Sequence, residues 1–546
     1  MNKSNTSKID TSRRSVTSPK APPKQRAIAR RPYANGGPIS RDQSIAATVA
    51  TGAATVPVGQ QYTTFSAAAL AAQPLDSALF DETDHHAHLL RRATFGARPS
   101  DVADLKRLGV NRWLNIQLAP SSIVDPSGDA AWSAFPLAGA SAATIIAETE
   151  QFSWDAMFET GQATLGRQIF SKRQLYEIVI DIFANHLHVA IPAEQWDTSP
   201  GYAKNVIRRY ALGKYRDMLM AAMKHPAMLE FLSNDQSYKQ HVNENLGREL
   251  LELHTVGVAS GYTENDVKAS AAILSGRTTN HAKGTYVYDP ARHATGPVAV
   301  LGFTAENATG AGGEAVGDAY LRYLATHRST AKTIARKIAT RFVSDQPSDD
   351  LINRLADVYL AHDTSILEVV KAVFLSSDFW SAVGIRMRRP LEDLVGTARV
   401  VNVARASTTA NTKKGIVSLY WNLWEAGHAP LGWNPPNGYP DVAAAWLGAG
   451  SMILRWNTHR GLVYGWWGGL KYTKPLTLVP VHTGDTAEMW VKAAALKLIG
   501  GTPTPEHLAA LLKGGGLTAG GHPPNSDWMA GQTLTLLFDS AYFQLR

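Results

Sequence analysis

A polar stripe on an otherwise apolar helix constrains the fold of this chain more than any other pattern. It lies in residues 172–191, where, at about 100° per residue, five polar side chains share one narrow arc. These side chains are Gln174, Glu177, Asp181, Asn185 and His188. Apolar residues cover most of the remaining circumference, which predicts a buried helix. Because buried polar groups need hydrogen-bonding or ionic partners, the stripe predicts a polar centre inside a large helical body.

A second polar stretch, residues 243–257, predicts another helix, which ends at Gly257. On the helical wheel its charged residues share one arc, whereas His254 falls on the other side, beside Leu250. The charged arc consists of Glu244, Arg248, Glu249 and Glu252. We expect this acidic and arginine face to contact the polar stripe of residues 172–191. The alternative is an ordinary surface helix with charges opposite its apolar face.

The rest of the chain reads as short helices separated by glycine and proline. Long alternating apolar runs, which would indicate a large sheet, do not occur. The best strand candidates, residues 285–288 and 298–303, are both short, and they lie within a loop-like region, residues 278–318. The predicted fold is therefore mainly α: a large multi-helix orthogonal bundle with long loops and at most a few short strands.

Charge divides the chain into two parts. Residues 1–50 carry ten Lys/Arg and two Asp, a balance of +8 that equals the net charge of all 546 residues. We expect residues 1–78, rich in Ser, Pro and Ala, to be a disordered basic tail, with a basic arm for an acidic partner as the alternative. Residues 79–546 are predicted to form one large helical domain. That domain is close to neutral, so nucleic-acid binding is not expected.

Two absences exclude several classes of function. The chain contains no cysteine, which excludes disulfides, thiolate catalysis and cysteine metal sites. No apolar run reaches the ~20 residues that a membrane-spanning helix needs. Arg13-Arg14 is suggestive of a twin-arginine signal, but no apolar segment follows directly, so a clear signal peptide is not seen.

Several motifs of the chain together resemble one known family, the domain-of-unknown-function 1800 family of bacterial proteins. They include Asn185-His186, Asn243-Glu244-Asn245, Arg248-Glu249-Leu250-Leu251-Glu252-Leu253-His254-Thr255, Gly261-Tyr262-Thr263, Pro390-Leu391-Glu392, Pro435-Pro436-Asn437-Gly438-Tyr439-Pro440-Asp441 and residues 88–96, 225–229 and 331–342. The resemblance runs from about residue 84 to the C-terminus. It implies a largely helical fold and a periplasmic or secreted location, with the cytoplasm as the alternative. The family's activity is not established. Two positions depart from the family pattern. The chain has Phe183 where we associate a tryptophan with the family, and the loop of His293 lacks the lysine that we associate with that region.

The first functional hypothesis is a hydrolase that uses carboxylate acid/base chemistry on a polysaccharide or other envelope polymer. Such a mechanism needs one carboxyl group kept protonated and another ionised. The candidate catalytic residues are Glu249, Glu252, Arg248, Asp181 and Glu244. The candidate binding residues are Asn185, Asn243, Trp433, Tyr439 and Asn437, of which the aromatic pair, with Trp446, would stack on a sugar ring. A loop that only packs against the body is the alternative for residues 427–441.

Two other hypotheses stay open. A metal-dependent enzyme would draw its ligands from His186, His188, His254 and His293, although no His-Glu-x-x-His motif occurs, so several segments would have to contribute. For His186, on the apolar side of its helix, a satisfied core histidine is the alternative. The third hypothesis is a non-catalytic envelope or assembly scaffold, in which the polar stripes hold a helical body in register. The sequence identifies no cofactor.

Overall fold

Capping side chains set where many of the helices begin. The computed structural model describes residues 85–546, so the tail predicted for residues 1–78 lies outside the described residues, and the domain boundary at residue 79 stays a prediction. At Thr263 the hydroxyl accepts a hydrogen bond from the backbone of Asp266, whose carboxylate accepts one in return from the Thr263 backbone. Thr263 and Asp266 have the sequence spacing of a capping box, and the box satisfies backbone donors that the first helical turn leaves free.

The first half of the described chain is helical up to residue 274. Its α-helices are α1 His85–Ala93, α2 Pro99–Leu108, α3 Val110–Leu118, α4 Pro126–Ser133, α5 Ala142–Glu148, α6 Asp155–Phe170, α7 Gln174–His186, α8 Ser199–Tyr202, α9 Tyr215–Ala222, α10 Pro226–Phe231, α11 Asn245–Glu249 and α12 Glu264–Leu274. Two π-helical turns, Ala203–Arg208 and Leu250–His254, follow α8 and α11 directly.

After a region of short strands, helices resume at residue 313. They are α13 Gly313–Thr326, α14 Arg328–Phe342, α15 Asp349–Ala361, α16 Ile366–Leu375, α17 Ser377–Trp380, α18 Pro390–Val400, α19 Thr409–Glu425, α20 Ala449–Tyr464, α21 Pro475–Leu478, α22 Ala487–Ile499, α23 Pro505–Gly514, α24 Asp527–Asp539 and α25 Ala541–Gln544. The mainly α fold class is confirmed. No helix within residues 85–546 is both long and apolar enough to cross a membrane.

The strands form three separate antiparallel pairs. They are β1 Arg277–Asn280 with β2 Thr285–Tyr288, β3 Val298–Val300 with β4 Phe303–Ala305, and β5 Ala404–Arg405 with β6 Leu470–Lys471. The strand expected over residues 298–303 is in fact two strands. Leu301 and Gly302 both adopt positive φ, at 48° and 92°, and form the turn between them.

Helix α7 lies in the hydrophobic core, as its apolar circumference predicts. Leu175, Val179 and Phe183 are completely buried, and burying a side chain of this size contributes roughly 1.5–3 kcal/mol. The second polar stretch departs from the wheel used to predict it. Its last turn, Leu250–His254, is π-helical, so residues there advance by less than 100° each.

Candidate functional site

Asp181, in the middle of the polar stripe of α7, binds two arginines that lie far away in the sequence. Its Oδ2 accepts hydrogen bonds from Arg341 Nη1 and Arg389 Nη2, both at 2.8 Å. All three side chains are buried. Burial opposes ionisation of the carboxyl group, but the two guanidinium groups lower the pKa of Asp181 below its usual value. Asp181 is therefore an ionised carboxylate held in an ion pair, which does not suit a proton donor.

The same arginines extend the ion pairs into a larger group, which we call the central ion cluster. Arg341 Nε donates to Asp441 Oδ2 at 2.7 Å, and Arg389 Nη2 donates to Glu392 Oε1 at 3.2 Å. The members of the cluster are Asp181, Arg341, Asp345, Arg386, Arg389, Glu392, Asp441 and Arg546. The cluster ties α7, α14, α18, the loop that ends at residue 441 and the C-terminal residue into one body.

The other members of the stripe are also paired, as their burial requires. Glu177 accepts from Arg167 Nε and from Arg208 Nη2, both at 2.8 Å. Asn185 accepts from the backbone of Tyr439 at 3.0 Å, and His188 Nε2 contacts the Trp433 carbonyl oxygen at 2.5 Å. The predicted polar centre therefore exists, and its partners come from elements distant in the sequence.

The charged residues of the second stretch form a separate network near the surface. Arg248 holds Glu264 at 2.7 Å, Glu244 at 3.3 Å and Glu252 at 3.8 Å. Its side chain is 31% exposed. The expectation that Arg248 contacts the stripe of α7 is wrong, because Arg248 finds its acidic partners on its own helix and at the start of α12. Glu249 and Glu252 make further contacts, and their catalytic roles stay predictions.

We expect Arg248→Ala to lower the free energy of unfolding by less than about 1 kcal/mol, because partly exposed ion pairs contribute little. Chemical denaturation with urea would measure this. A loss several times larger would show that the network does more for stability than its exposure indicates.

The four histidines proposed as metal ligands are held by protein groups instead. His254 Nδ1 lies 2.8 Å from the His186 carbonyl oxygen, and His186 Nε2 lies 2.9 Å from the Tyr215 hydroxyl. His293 contacts the Ser275 carbonyl oxygen and the Asn307 side chain at 2.8 and 2.7 Å. Within residues 85–546, no group of three or more His, Asp or Glu side chains is arranged to hold a metal ion. His186 is thus a core histidine whose Nε2 is hydrogen-bonded, while its buried Nδ1 has no hydrogen-bond partner within the described residues.

The aromatic loop of residues 427–441 packs against the body, so the expectation of an open sugar platform there is wrong. The Tyr439 ring is buried and lies 4.3 Å from the His428 ring, which stacks on Trp446. Gly438 has φ of 67°, and a Cβ there would lie 2.1 Å from the Asn185 carbonyl oxygen, so glycine is needed for this close approach.

The remaining binding candidates fix their own backbone or each other. Trp433, which is only partly buried, donates from Nε1 to Asn437 Oδ1 at 2.8 Å. Asn243 Oδ1 accepts from the backbone of Asn245 at 2.9 Å, just where α11 begins. Asn243 therefore fixes the local backbone turn that precedes the helix.

A group of acidic residues that the sequence reasoning missed lies around His281. We call Asp197, Glu230, Asp235 and His281 the Glu230 cluster. His281 Nδ1 lies 3.6 Å from Glu230 Oε1, and its Nε2 lies 3.2 Å from Asp235 Oδ2. The imidazole is 64% exposed, whereas both carboxylates are mostly buried beneath it. Two carboxylates thus lie on opposite sides of one ring that reaches solvent.

The charge environment of Glu230 is the reverse of that of Asp181. Burial and the neighbouring carboxylate of Asp197 raise the pKa of Glu230 to about 7, although the Thr198 hydroxyl, which donates to it at 3.1 Å, opposes the shift. Asp235 Oδ1 is buried and has no hydrogen-bond partner within the described residues. This arrangement can hold one proton near neutral pH, which suits a general acid.

No spacing rule links the members of the Glu230 cluster. Glu230 follows the motif of residues 225–229 near the end of the short helix α10, and Asp235 lies in the next turn. Asp197 and His281 come from a loop before α8 and from the turn between β1 and β2. The sequence signal that could have pointed to this cluster is the position of Glu230 and Asp235 between two family motifs, residues 225–229 and 243–245.

A further buried network joins α18, α20 and α24. His459 Nε2 lies 3.0 Å from Asp393 Oδ2, and its Nδ1 lies 2.7 Å from Asp539 Oδ1. Burial opposes the charged imidazole, but Asp393 and Asp539 raise the pKa of His459 to about 9. The histidine is therefore charged at neutral pH and bridges the two carboxylates.

This network predicts a pH-dependent stability. The pKa of His459 in the folded protein, about 9, exceeds that of an unfolded histidine, about 6.5. Its contribution is therefore fully present below pH 6.5 and is lost as the pH rises through 9. We expect wild type to lose more unfolding free energy between pH 6.5 and 9 than His459→Gln does, as measured by urea unfolding across that range. If the unfolding free energies of the two proteins fell equally over this pH range, the stabilising role of charged His459 would be excluded.

The fold and its buried ion pairs define a large, mainly helical protein with several separate polar networks within residues 85–546. The chain belongs to the family described as protein of unknown function DUF1800, whose model matches residues 88–545. The resemblance seen in the sequence is thereby confirmed. No curated protein and no solved structure matches the chain.

Proposed function

We propose that the chain is a hydrolase that cleaves a polysaccharide or other envelope polymer by carboxylate acid/base chemistry at the Glu230 cluster. The observation that carries the proposal is the placement of Glu230 and Asp235 on the two nitrogens of one solvent-exposed imidazole, at 3.6 and 3.2 Å. The raised pKa of Glu230, about 7, supports it. Such a pair supplies one protonated and one ionised carboxyl group.

In this mechanism Glu230 donates its proton to the oxygen of the leaving group. Asp235 accepts a proton from the attacking water, whose oxygen bonds to the carbon released from the leaving group. Burial raises the pKa of Asp235, but His281 and Arg292 favour its ionised form. The bond between polymer units breaks, and one water is consumed for each bond.

An exposed aromatic side chain beside Trp196, which precedes Asp197 in the sequence, supports a sugar substrate. The exposed Phe152 ring lies 6.1 Å from Trp196, the residue before Asp197. Phe152 has φ of 63°, a conformation that is a genuine outlier for a bulky residue. An aromatic ring held at the surface in this way can stack against the apolar face of a sugar.

Incubating the purified protein with a panel of envelope polysaccharides tests the proposal, with new reducing ends as the readout between pH 5 and 9. We expect cleavage of at least one polymer, with activity falling above pH 7 as Glu230 loses its proton. Intact polymers throughout the panel would count against the hydrolase.

A non-catalytic envelope or assembly scaffold is the second candidate, and the central ion cluster favours it. That cluster joins five parts of the chain through buried charges, as a rigid framework requires. The metal-dependent enzyme gains no comparable support from residues 85–546.

A further inference from the structure

A cavity of about 250 Å³ opens between α20, α24 and the end of α23. Three of its lining residues, Trp456, Arg460 and Tyr464, repeat every four positions on α20 and so share one face. Asp539 lines it from α24. The volume is below the roughly 300–1,000 Å³ of pockets for drug-sized ligands, so it suits a single small unit.

One wall of the cavity is aromatic. The Trp456 ring is 43% exposed. Tyr464 is fixed by a hydrogen bond from its hydroxyl to the Trp528 carbonyl oxygen at 2.8 Å, and a Cβ on Gly531 would lie 2.6 Å from the Tyr464 ring. Glycine at 531 therefore allows the ring to lie against α24. Rigid, partly exposed rings of this kind present an apolar surface with little loss of entropy on binding.

Arg460 brings positive charge to this wall. Its guanidinium carbon lies 5.9 Å from the Tyr464 ring and 6.0 Å from the Trp466 ring. Within residues 85–546 the guanidinium group makes no ion pair and no hydrogen bond with another side chain, although most buried arginines of the chain make several. The N–H groups of its guanidinium are thus available to donate two parallel hydrogen bonds to a carboxylate.

The lining also includes a carboxylate and two amides. Asp539 is partly exposed, and its side chain is held by His459 Nδ1 at 2.7 Å, which in turn contacts Asp393. Gln532 of α24 and Asn457 of α20 also line the cavity. A carboxylate and amides in one lining offer both acceptors and donors, which is what sugar hydroxyl groups require.

We propose that this cavity binds one hexuronate unit of an acidic polysaccharide, with Trp456 against the ring face, Arg460 on the carboxylate and Asp539 on the hydroxyl groups. The site differs from the Glu230 cluster in all of its residues. It does not depend on the proposed hydrolysis, because it requires binding alone.

Isothermal titration with trimers of galacturonate, glucuronate and mannuronate, each compared with its methyl ester, tests the proposal. Esterification removes the charge that Arg460 would recognise and adds only one methyl group. We expect at least one acidic trimer to bind, and its ester to bind roughly tenfold more weakly or worse, about 1.4 kcal/mol. Binding of none of the three trimers, or equal binding of acid and ester, would overturn the proposal.

Variants locate the site. Arg460→Gln should remove the preference for acid over ester, and Trp456→Ala should weaken both ligands, with melting temperatures unchanged because both side chains lie on the cavity face. Trp154→Ala, also an exposed tryptophan but outside the cavity lining, should bind as wild type does. Unchanged binding by Trp456→Ala, or a loss confined to Trp154→Ala, would refute the assignment. Since binding is the readout, failure here leaves the hydrolase proposal standing, and the reverse also holds.

Discussion

Glu230→Gln is expected to lower kcat/KM for polymer hydrolysis by about 100- to 10,000-fold, the usual effect of losing a positioned general acid. Glutamine has the shape of a protonated glutamic acid but no proton to donate. The pKa of Glu230 is raised to about 7, so the folded protein favours the neutral form, and glutamine should fit without loss of packing. The melting temperature of the variant should therefore be no lower than that of wild type.

The pH dependence separates this effect from a general loss of folding. Because the pKa of Glu230 lies above that of an unfolded glutamate, about 4.3, its contribution to stability is present below that value and is lost as the pH rises through 7. As the pH rises from about 4.3 to 7, the variant should therefore become more stable than wild type, while remaining inactive. Glu264→Gln, an exposed glutamate paired with Arg248, is a matched control and should keep its activity. A variant at 230 that stays active would exclude Glu230 as the acid.

Arg389→Ala is expected to destabilise the protein by about 3–5 kcal/mol, because it leaves buried carboxylates without a partner. Arg389 Nη2 donates to both Asp181 and Glu392, and all three side chains are buried. This loss is a large part of the free energy of unfolding of a typical folded domain, about 5–15 kcal/mol.

Arg336→Ala is the matched control for this experiment. Arg336 pairs with Asp349 at 3.2 Å with both side chains largely exposed, and such pairs contribute about 0–1 kcal/mol. Urea unfolding of the two variants in parallel gives the comparison. Equal losses would mean that the central ion cluster stabilises the fold no more than a surface pair does.

The fold was largely predictable because helical periodicity is a local property. The apolar circumference of α7 predicted its burial, and the Thr263 and Asp266 pair predicted the start of α12. The burial of the polar stripe also required partners, but nothing local identifies Arg341 and Arg389, which lie 160 and 208 residues from Asp181. The helical-wheel prediction was wrong for Leu250–His254, because a π-helical turn changes the angle between successive residues.

The candidate site was not predictable for a related reason. A carboxyl group becomes a useful acid through its neighbours, and those of Glu230 come from separate segments. Asp197 and His281 approach it only in the folded chain. Two of the glutamates that looked catalytic in residues 243–257, Glu244 and Glu252, are paired instead with the partly exposed Arg248.

The most direct test of the account compares Glu230→Gln with Glu252→Gln in one hydrolysis assay at pH 6, on the polymer that wild type cleaves. We predict that Glu230→Gln loses activity by at least about 100-fold, while Glu252→Gln retains most of it. Both variants should remain folded, and Glu230→Gln should melt no lower than wild type. Retained activity in Glu230→Gln together with loss in Glu252→Gln would contradict the assignment and return the site to the helix of residues 243–257.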